Sequence, residues 1–122
     1  MKIQESAENY LESILKLKET LPRVRSIDIA NELNFSKPSI SIAMKNLKEN
    51  GYITIADNGS IELTEKGYTI ASRTYEKEKI ITKLLISYGV SIEQAQIDAC
   101  RIEHVLSDES FIAIKKHLEK SE

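Results

Sequence analysis

Apolar and polar residues alternate with the period of amphipathic helices from the start of the chain to Gly51. The pattern predicts a first helix from Ser6, its N-cap, to about Glu19. A second helix is predicted from Ser26 to Asn34, and a third from Ser36 to Gly51. The apolar stripe of the third helix is Ile40, Met44 and Leu47. Two short helices joined by a tight turn are typical of a helix-turn-helix.

Residues 52–63 have the pattern of a β-hairpin. Tyr52 to Ile55 and Ile61 to Leu63 are predicted strands, because both runs are rich in β-branched residues. The segment between them contains Asn58 and Gly59, an Asn-Gly pair that favours a tight hairpin turn. A hairpin directly after a helix-turn-helix is a wing. The chain therefore begins with a predicted winged helix-turn-helix.

The remainder of the chain is predicted to be helical. A long helix begins after its cap, Thr64, and ends at Gly89. A capping box at Ser91 opens a helix that includes Cys100 and His104, and Ser107 caps a last helix. We expect two domains, residues 1–74 and residues 75–122, joined by the long helix. The second has more Ile and Leu than three helices can cover, which predicts a homodimer.

Composition agrees with a mainly α-helical protein. The 122 residues are 41% hydrophobic and 30% charged, with one cysteine and only four glycines. No apolar run approaches the roughly 18 residues of a membrane span, and the first residues lack the apolar core of a secretory signal. A lone thiol suits a reducing compartment, so we expect a cytoplasmic protein. No catalytic triad or phosphate-binding loop is present, which argues against an enzyme with a small-molecule substrate.

The charge distribution makes double-stranded DNA the expected partner of the first domain. The formal net charge is −2, but the segment from Arg23 to Lys48 has five basic and two acidic side chains. On charge alone a solvated surface is the simpler explanation. Next to a wing, the same segment favours DNA binding. The predicted DNA-binding residues are Arg25, Ser36, Lys37, Pro38, Ser39, Ser41, Ile42, Lys45 and Asn58.

Each residue type in this set has its own chemistry toward DNA. Serine hydroxyls bond to bases or phosphates, and lysines neutralise phosphates. Pro38 or Ile42 can contact the methyl group of a thymine. Two alternatives remain open at this point: Ser36 can act purely as a helix cap, and Ile42 can belong to the core.

A candidate metal site is the run from Cys100 to His104. On a helix, Cys100, Glu103 and His104 share one face, so a thiolate, a carboxylate and an imidazole converge. These donors suit Fe(II), Co(II), Ni(II) or Zn(II) better than Ca(II) or Mg(II). A buried cysteine, a surface glutamate and a capping histidine are the alternative. Three donors leave a site incomplete, and Asn9 and Glu12 could supply the rest if the first helix packs against the fifth.

Three segments resemble the diphtheria toxin repressor and manganese transport regulator family of metal-dependent repressors. They are ENYLESILKL at 8–17, SKPSIS at 36–41 and DACRIEHVLSDE at 98–109. The likeness covers nearly the whole chain. It implies a winged-helix lobe joined to a helical dimerisation lobe, with a divalent metal favouring the DNA-binding form. It also implies a repressor of metal-uptake genes that responds to Fe(II) or Mn(II).

The resemblance assigns roles unevenly. Cys100, Glu103 and His104 match primary metal ligands of the iron-responsive branch, whereas the manganese-responsive branch has Glu in place of Cys100. Asn9 stands where the two branches have Met and Asp, and Glu12 matches a ligand of the manganese branch. The resemblance thus implies one mixed primary site.

The resemblance implies a second metal site that is either degraded or rebuilt with Glu78 as a ligand. Glu78 stands where a histidine ligand is usual, and Thr82 and Gln96 replace a Glu and a His of the iron-responsive branch. Ile42 replaces a polar residue of the DNA-facing helix. Two other functions remain open: a metal-independent or redox-sensing DNA-binding regulator that uses Cys100, and a metal-binding or protein-interaction module. Metal titration and salt-dependent DNA binding would distinguish them.

Overall fold

The computed structural model describes residues 5–121 and is mainly helical, as predicted. Residues 1–4 and 122, which the predicted domains include, lie outside that range. In chain order the elements are α1 (Glu5–Lys18), α2 (Ser26–Leu33), α3 (Lys37–Glu49), β1 (Ile53–Ile55), β2 (Ile61–Leu63), α4 (Glu65–Ser87), α5 (Ile92–Ile102) and α6 (Asp108–Ser121). The chain divides into two compact units at Ser72 and Arg73, inside α4.

Unit 1 has its own apolar core, formed by α1, α2, α3, the hairpin, the segment before α2 and the first part of α4. The predicted stripe of α3 is buried, with Ile40, Met44 and Leu47 all at most 5% exposed. The core also contains Leu11, Ile14, Val24, Ile29, Ala30, Ile53, Ile61 and Ala71. Because the buried residues of α3 lie on one side, the opposite side of that helix is presented to solvent.

The wing is present as a two-stranded antiparallel hairpin. Its register pairs Ile53 with Leu63 and Ile55 with Ile61. The turn is closed by a bond from Gly59 N–H to the Ala56 carbonyl at 2.8 Å, and Gly59 has a φ of 86°. Since only Gly59 of the Asn-Gly pair has a positive φ, the loop is a turn followed by one left-handed residue rather than a two-residue turn.

Most predicted helix caps are confirmed. The hydroxyls of Ser36, Ser91 and Ser107 each accept a backbone N–H three residues later, at 3.3, 3.3 and 3.1 Å. Two caps were placed wrongly. Ser6 lies inside α1, and Ser26 is the first residue of α2, where the cap is Arg25. The Asp28 carboxylate accepts the Arg25 N–H at 2.9 Å. Asp28, in the first turn of α2, therefore provides a hydrogen-bond acceptor for the backbone at the N-terminus of that helix.

The prediction that His104 lies on the fifth helix is wrong. Helix α5 ends at Ile102, and residues 103–105 form a turn. The His104 N–H bonds to the Arg101 carbonyl, three residues back, at 3.4 Å. This tighter winding ends the α-helical repeat, so Cys100 and His104 do not share a continuous helical face.

Unit 2 consists of the second part of α4 with α5 and α6. Its buried apolar residues are Ile81, Ala95, Ala99, Phe111 and Leu118. Several large apolar side chains of this unit remain exposed, among them Tyr88, Ile92, Ile97, Val105 and Ile112. None of the described helices combines the length and hydropathy that a membrane crossing requires.

Candidate functional site

The N-terminus of α3 is held by a pair of serines. The Ser36 hydroxyl accepts the Ser39 N–H at 3.3 Å and donates to the Ser39 hydroxyl at 2.8 Å. Ser36 is therefore committed to capping the helix. The Ser39 hydroxyl accepts this bond and keeps its own proton for an outside acceptor, so of the two it is better placed to contact DNA.

The outward side of α3 carries the other predicted DNA-binding residues. Lys37, Pro38, Ser41, Ile42 and Lys45 are all exposed. Ile42 is 63% exposed, so it does not belong to the core. The structure thus brings hydroxyl, ammonium and apolar groups together on one surface, the mixture that reads bases and neutralises phosphates.

Arg25 and Asn58 lie at the wing. The aliphatic chain of Arg25 passes beside Gly59, with its Cδ 3.9 Å from the position of a Cβ on that glycine. Ile61 N–H donates to the Val24 carbonyl at 2.7 Å, which attaches the hairpin to the segment before α2. The Asn58 side-chain oxygen accepts the Ser60 N–H at 2.9 Å. Asn58 therefore shapes the turn, and its contact with DNA stays a prediction.

Glu103 and His104 form a buried pair in unit 2. The Nε2 atom of His104 lies 3.2 Å from Oε1 of Glu103, and the side chains are 1% and 0% exposed, respectively. Burying a carboxylate is unfavourable unless a cation or several donors face it. A carboxylate next to an imidazole is also a natural pair of ligands for a divalent transition metal.

A second carboxylate comes close to this pair. Glu78, half-buried on α4, has a carboxylate oxygen within 4.8 Å of one on Glu103. Two carboxylates at this separation repel each other, and a divalent cation between them removes the repulsion. Glu78 and Glu103, with His104 beside Glu103, are donors of the types that bind a divalent metal. Glu78, the residue with which a second site would be rebuilt, thus lies close to the predicted ligand Glu103.

Cys100 is placed differently. It is half-buried and lines a shallow depression on α5 with Glu93, Gln96, Ile97 and Arg101. Among the residues that the structure describes, the group of ligand atoms containing Glu78 and Glu103 includes neither Cys100 nor His104. Cys100 and Glu103 nevertheless remain three residues apart along α5 and its cap, since the Glu103 N–H bonds to the Ala99 carbonyl at 2.9 Å.

The remaining predicted ligands, Asn9 and Glu12, lie on α1. On α1, Asn9 is half-buried and Glu12 is 3% exposed, with Oε2 of Glu12 3.9 Å from Nζ of Lys16. Being three residues apart, Asn9 and Glu12 share a helix face. On α4, Thr82 follows Glu78 by one turn, and its buried hydroxyl has no hydrogen-bond partner within residues 5–121.

The sequence analysis missed Lys77, which supports the turn containing His104. Its Nζ donates to the Leu106 carbonyl at 3.3 Å and lies 3.3 Å from Oδ1 of Asp108. Arg73 bonds to the other oxygen of Asp108 at 2.8 Å. These contacts attach the turn to α4 next to Glu78. No local pattern could have indicated them, because the partners lie about thirty residues away along the chain.

Both halves of the chain match models of known protein families. Residues 2–60 match the family model described as "Iron dependent repressor, N-terminal DNA binding domain". Residues 64–122 match "Iron dependent repressor, metal binding and dimerisation domain". An uncharacterized HTH-type transcriptional regulator of Methanocaldococcus jannaschii is 33% identical over 97% of this chain and 96% of its own length.

Two further relatives are longer than this chain. The diphtheria toxin repressor of Corynebacterium diphtheriae is 31% identical over 86% of this chain, which corresponds to 47% of that protein. The solved structure of the manganese regulator SloR superimposes with a TM-score of 0.82 and 26% identity, over 98% of this chain and 55% of that one. The chain thus spans about half the length of these two proteins. Both halves of the chain match the same family, and the chain belongs to the iron-dependent repressor family.

Proposed function

We propose that this chain is a metal-dependent transcriptional repressor of metal-uptake genes, a cytoplasmic regulator that binds operator DNA as a homodimer when Fe(II) or Mn(II) is bound. The observation that carries the proposal is the buried pair of Glu103 and His104, with Glu78 within 4.8 Å of Glu103. This set of donors occurs in a chain whose first unit is a winged helix-turn-helix. The same chain therefore carries a candidate metal site and a winged helix-turn-helix.

The DNA-binding part of the proposal relies on α3 and the wing. Recognition helices contact base edges through the residues near their N-terminus. In α3 these are Lys37, Ser39 and Ile42, and Lys45 follows Ile42 by about one turn; all four are exposed. Arg25, exposed before α2, adds a further positive charge to unit 1. The basic side chains would supply affinity through phosphates, and the others sequence preference.

The metal-binding part assigns Glu78, Glu103 and His104 as ligands, with Cys100 as a further candidate. Carboxylates and imidazole together suit Mn(II) and Fe(II), and Co(II), Ni(II) or Zn(II) would compete. Asn9 and Glu12 remain predicted ligands, because so few donors leave most coordination positions open. The bound ion would supply positive charge that neutralises the buried carboxylates. Its thermodynamic effect on DNA binding is reciprocal, so operator and metal raise each other's affinity equally.

The homodimer is proposed to form through residues 75–122. Ile92 is 62% exposed, Ile97 is 53% exposed and Val105 is 78% exposed, although all three are large apolar residues. A dimer would cover such residues and present two recognition helices to two half-sites about one DNA turn, roughly 34 Å, apart. Light scattering at micromolar concentration should give the dimer mass; a monomer would contradict this part of the proposal.

The decisive experiment measures DNA affinity with and without metal. Duplexes are selected from a randomised library by the wild-type chain with saturating Mn(II), and the affinity for an enriched duplex is then measured with Mn(II), with anaerobic Fe(II) and with chelator. We expect either metal to raise the affinity by about 5- to 150-fold. In His104→Ala the metal effect should be lost, while weak non-specific DNA binding persists.

His117→Ala is the matched control, because His117 is an exposed histidine of α6 and is not one of the predicted ligands. It should respond to metal as the wild type does. If no metal changes the affinity of the wild type, the sensor function is wrong and a metal-independent regulator replaces it. If no duplex is enriched under any condition, DNA binding itself is wrong.

A further inference from the structure

Ile42 is exposed in the middle of a helix whose other apolar residues are well buried. It is the sixth residue of α3 and is 63% exposed, whereas Ile40 and Met44 are 0% and 1% exposed. At about 100° per residue, Ile42 stands about 200° around the helix from Ile40, on the side opposite the core. Packing within unit 1 therefore gives no reason for an isoleucine at this position.

Intrinsic helix preference gives no reason either. A β-branched residue on a solvent-exposed helix surface is a poorer helix former than alanine, lysine or glutamate. An isoleucine is stiff at χ1, so it loses little side-chain freedom when it contacts another molecule. Both properties are expected of a residue that contacts another molecule.

The neighbours of Ile42 favour DNA as that partner. Ser39 and Ser41 flank it, and Lys45 follows one turn later, all of them exposed. A stable protein partner needs about 800 Å² of surface with an apolar centre, and one isoleucine among serines and lysines does not provide it. A polyanion with a small apolar feature between hydrogen-bonding groups fits this surface in both charge and chemistry.

We infer that Ile42 recognises the 5-methyl group of a thymine in the major groove, so that the operator has a thymine at the position facing Ile42 in each half-site. Among the groups that base pairs present in this groove, the thymine methyl is the apolar one. The inference rests on the proposed DNA-binding function and names one element of its sequence specificity. Ile42 would thus contribute to sequence specificity, whereas the lysines contribute affinity for DNA of any sequence.

The test removes the methyl group from the DNA and the side chain from the protein. Each thymine of a duplex selected with Mn(II) is replaced in turn by uracil, which lacks only the 5-methyl group. Affinities for Ile42→Ala and wild type are measured with saturating Mn(II). At one position per half-site, uracil should weaken wild-type binding by about fourfold, the effect of burying one methyl-sized group. Ile42→Ala should bind thymine and uracil duplexes equally there.

Ile27→Ala is the control, because Ile27 is an isoleucine of α2 that is 37% exposed. This variant should distinguish thymine from uracil as the wild type does. Ile42→Ala should melt no lower than the wild type, because the exposed side chain contributes little to the core. Loss of discrimination would then reflect the missing contact and not unfolding.

Two outcomes overturn the inference while leaving the proposed function intact. In the first, the wild type binds with metal dependence but tolerates uracil at every position. In the second, Ile42→Ala still distinguishes thymine from uracil, or its DNA binding is unchanged, as it would be if Ile42 contacted a protein. If Mn(II) enriches no sequence at all, the proposed function fails and the inference falls with it.

Discussion

A β-carbon on Gly67 would lie 2.0 Å from the carbonyl oxygen of Tyr52. The first turn of α4 therefore lies directly against the backbone that enters the wing. The same contact region contains Thr64, whose hydroxyl donates to the Gly51 carbonyl at 2.7 Å and accepts the Gly67 N–H at 3.1 Å. Gly67 allows the long helix to begin beside the hairpin of the DNA-binding unit.

Replacing a glycine in a helix by alanine usually stabilises a protein. Because of this contact, we expect the replacement of Gly67 to destabilise it. Gly67→Ala should gain about 1 kcal/mol from helix propensity alone. Because a backbone oxygen occupies the place of the new methyl group, we expect a net loss of about 1 to 3 kcal/mol in the free energy of unfolding. Urea denaturation measures the change. Thr69→Ala, at an exposed position of the same helix, should be neutral or slightly stabilising; a stabilised Gly67→Ala would contradict the contact.

Much of unit 1 could be predicted because its signals are local. The cap at Ser36, the buried stripe of α3 and the hairpin at Gly59 each depend on residues within a few positions of one another. The sequence also indicated that α4 tolerates Gly67, but not why, since the reason is a carbonyl fifteen residues earlier. Ser6 misled the analysis because a serine near a helix start is not always its cap.

The arrangement of the candidate metal-binding residues was harder to predict from sequence. The motif of Cys100, Glu103 and His104 contains the buried pair of Glu103 and His104, whereas Cys100 is outside the group of ligand atoms that includes Glu78 and Glu103. Glu78 of α4 comes close to Glu103, which lies in the turn after α5, and Lys77 of the same helix bonds to the Leu106 carbonyl just after that turn. Such contacts join residues more than twenty positions apart, beyond the range of helical periodicity.

Lys77 should influence metal binding without being a ligand. Its side chain is 13% exposed and bonds to the Leu106 carbonyl, two residues after His104. In Lys77→Met the turn loses this support, and we expect the affinity for Mn(II) to fall by about tenfold, as for other residues that orient metal ligands. Calorimetric titration with Mn(II) measures the change.

The control for Lys77 is Lys79→Met, a change at an exposed lysine of the same helix. It should bind Mn(II) as the wild type does. If Lys77→Met also retains wild-type affinity, the turn does not need this support to place its ligands.

Ser13 should be a site of easy stabilisation. It is 4% exposed in α1, and its hydroxyl has no hydrogen-bond partner within the described part of the chain. A buried hydroxyl without a partner costs about 1 to 3 kcal/mol, and alanine is also the better helix former. Ser13→Ala should therefore raise the melting temperature by several degrees. Ser87→Ala, whose hydroxyl bonds to the Leu84 carbonyl at 2.6 Å, should not; equal effects would argue against an unsatisfied hydroxyl at Ser13.

Lys45 and Ser39 should affect DNA binding in different ways. Lys45→Ala removes one exposed positive charge, so binding should weaken for all sequences and the salt dependence should fall by about one phosphate contact. Ser39→Ala should chiefly change sequence preference, because its hydroxyl is the one available at the start of α3. Affinities over a range of salt concentrations test both. Lys116→Ala, exposed on α6, serves as the control, and an unchanged Lys45→Ala would place DNA elsewhere.

Cys100 should determine which metal the protein prefers. A thiolate favours Fe(II), Co(II) or Zn(II) over Mn(II), whereas a carboxylate favours Mn(II). If the thiol is a ligand, Cys100→Glu should shift the ratio of Mn(II) to Co(II) affinity toward Mn(II) by about tenfold, or 1.4 kcal/mol. The longer side chain of glutamate can also reach farther than that of cysteine. Competition titrations of the two metals on the wild type and the variant give this ratio.

Cys100→Ser removes the thiol without adding the carboxylate that Cys100→Glu introduces. Serine has about the size of cysteine but binds these metals weakly. This variant should lower Co(II) affinity and abolish any thiolate-to-Co(II) absorption band of the wild type. Cys100 lines a depression on α5 outside the group of Glu78 and Glu103. If neither variant changes the ratio, the two carboxylates and His104 account for metal selection in unit 2, and Cys100 is an ordinary residue of the α5 surface.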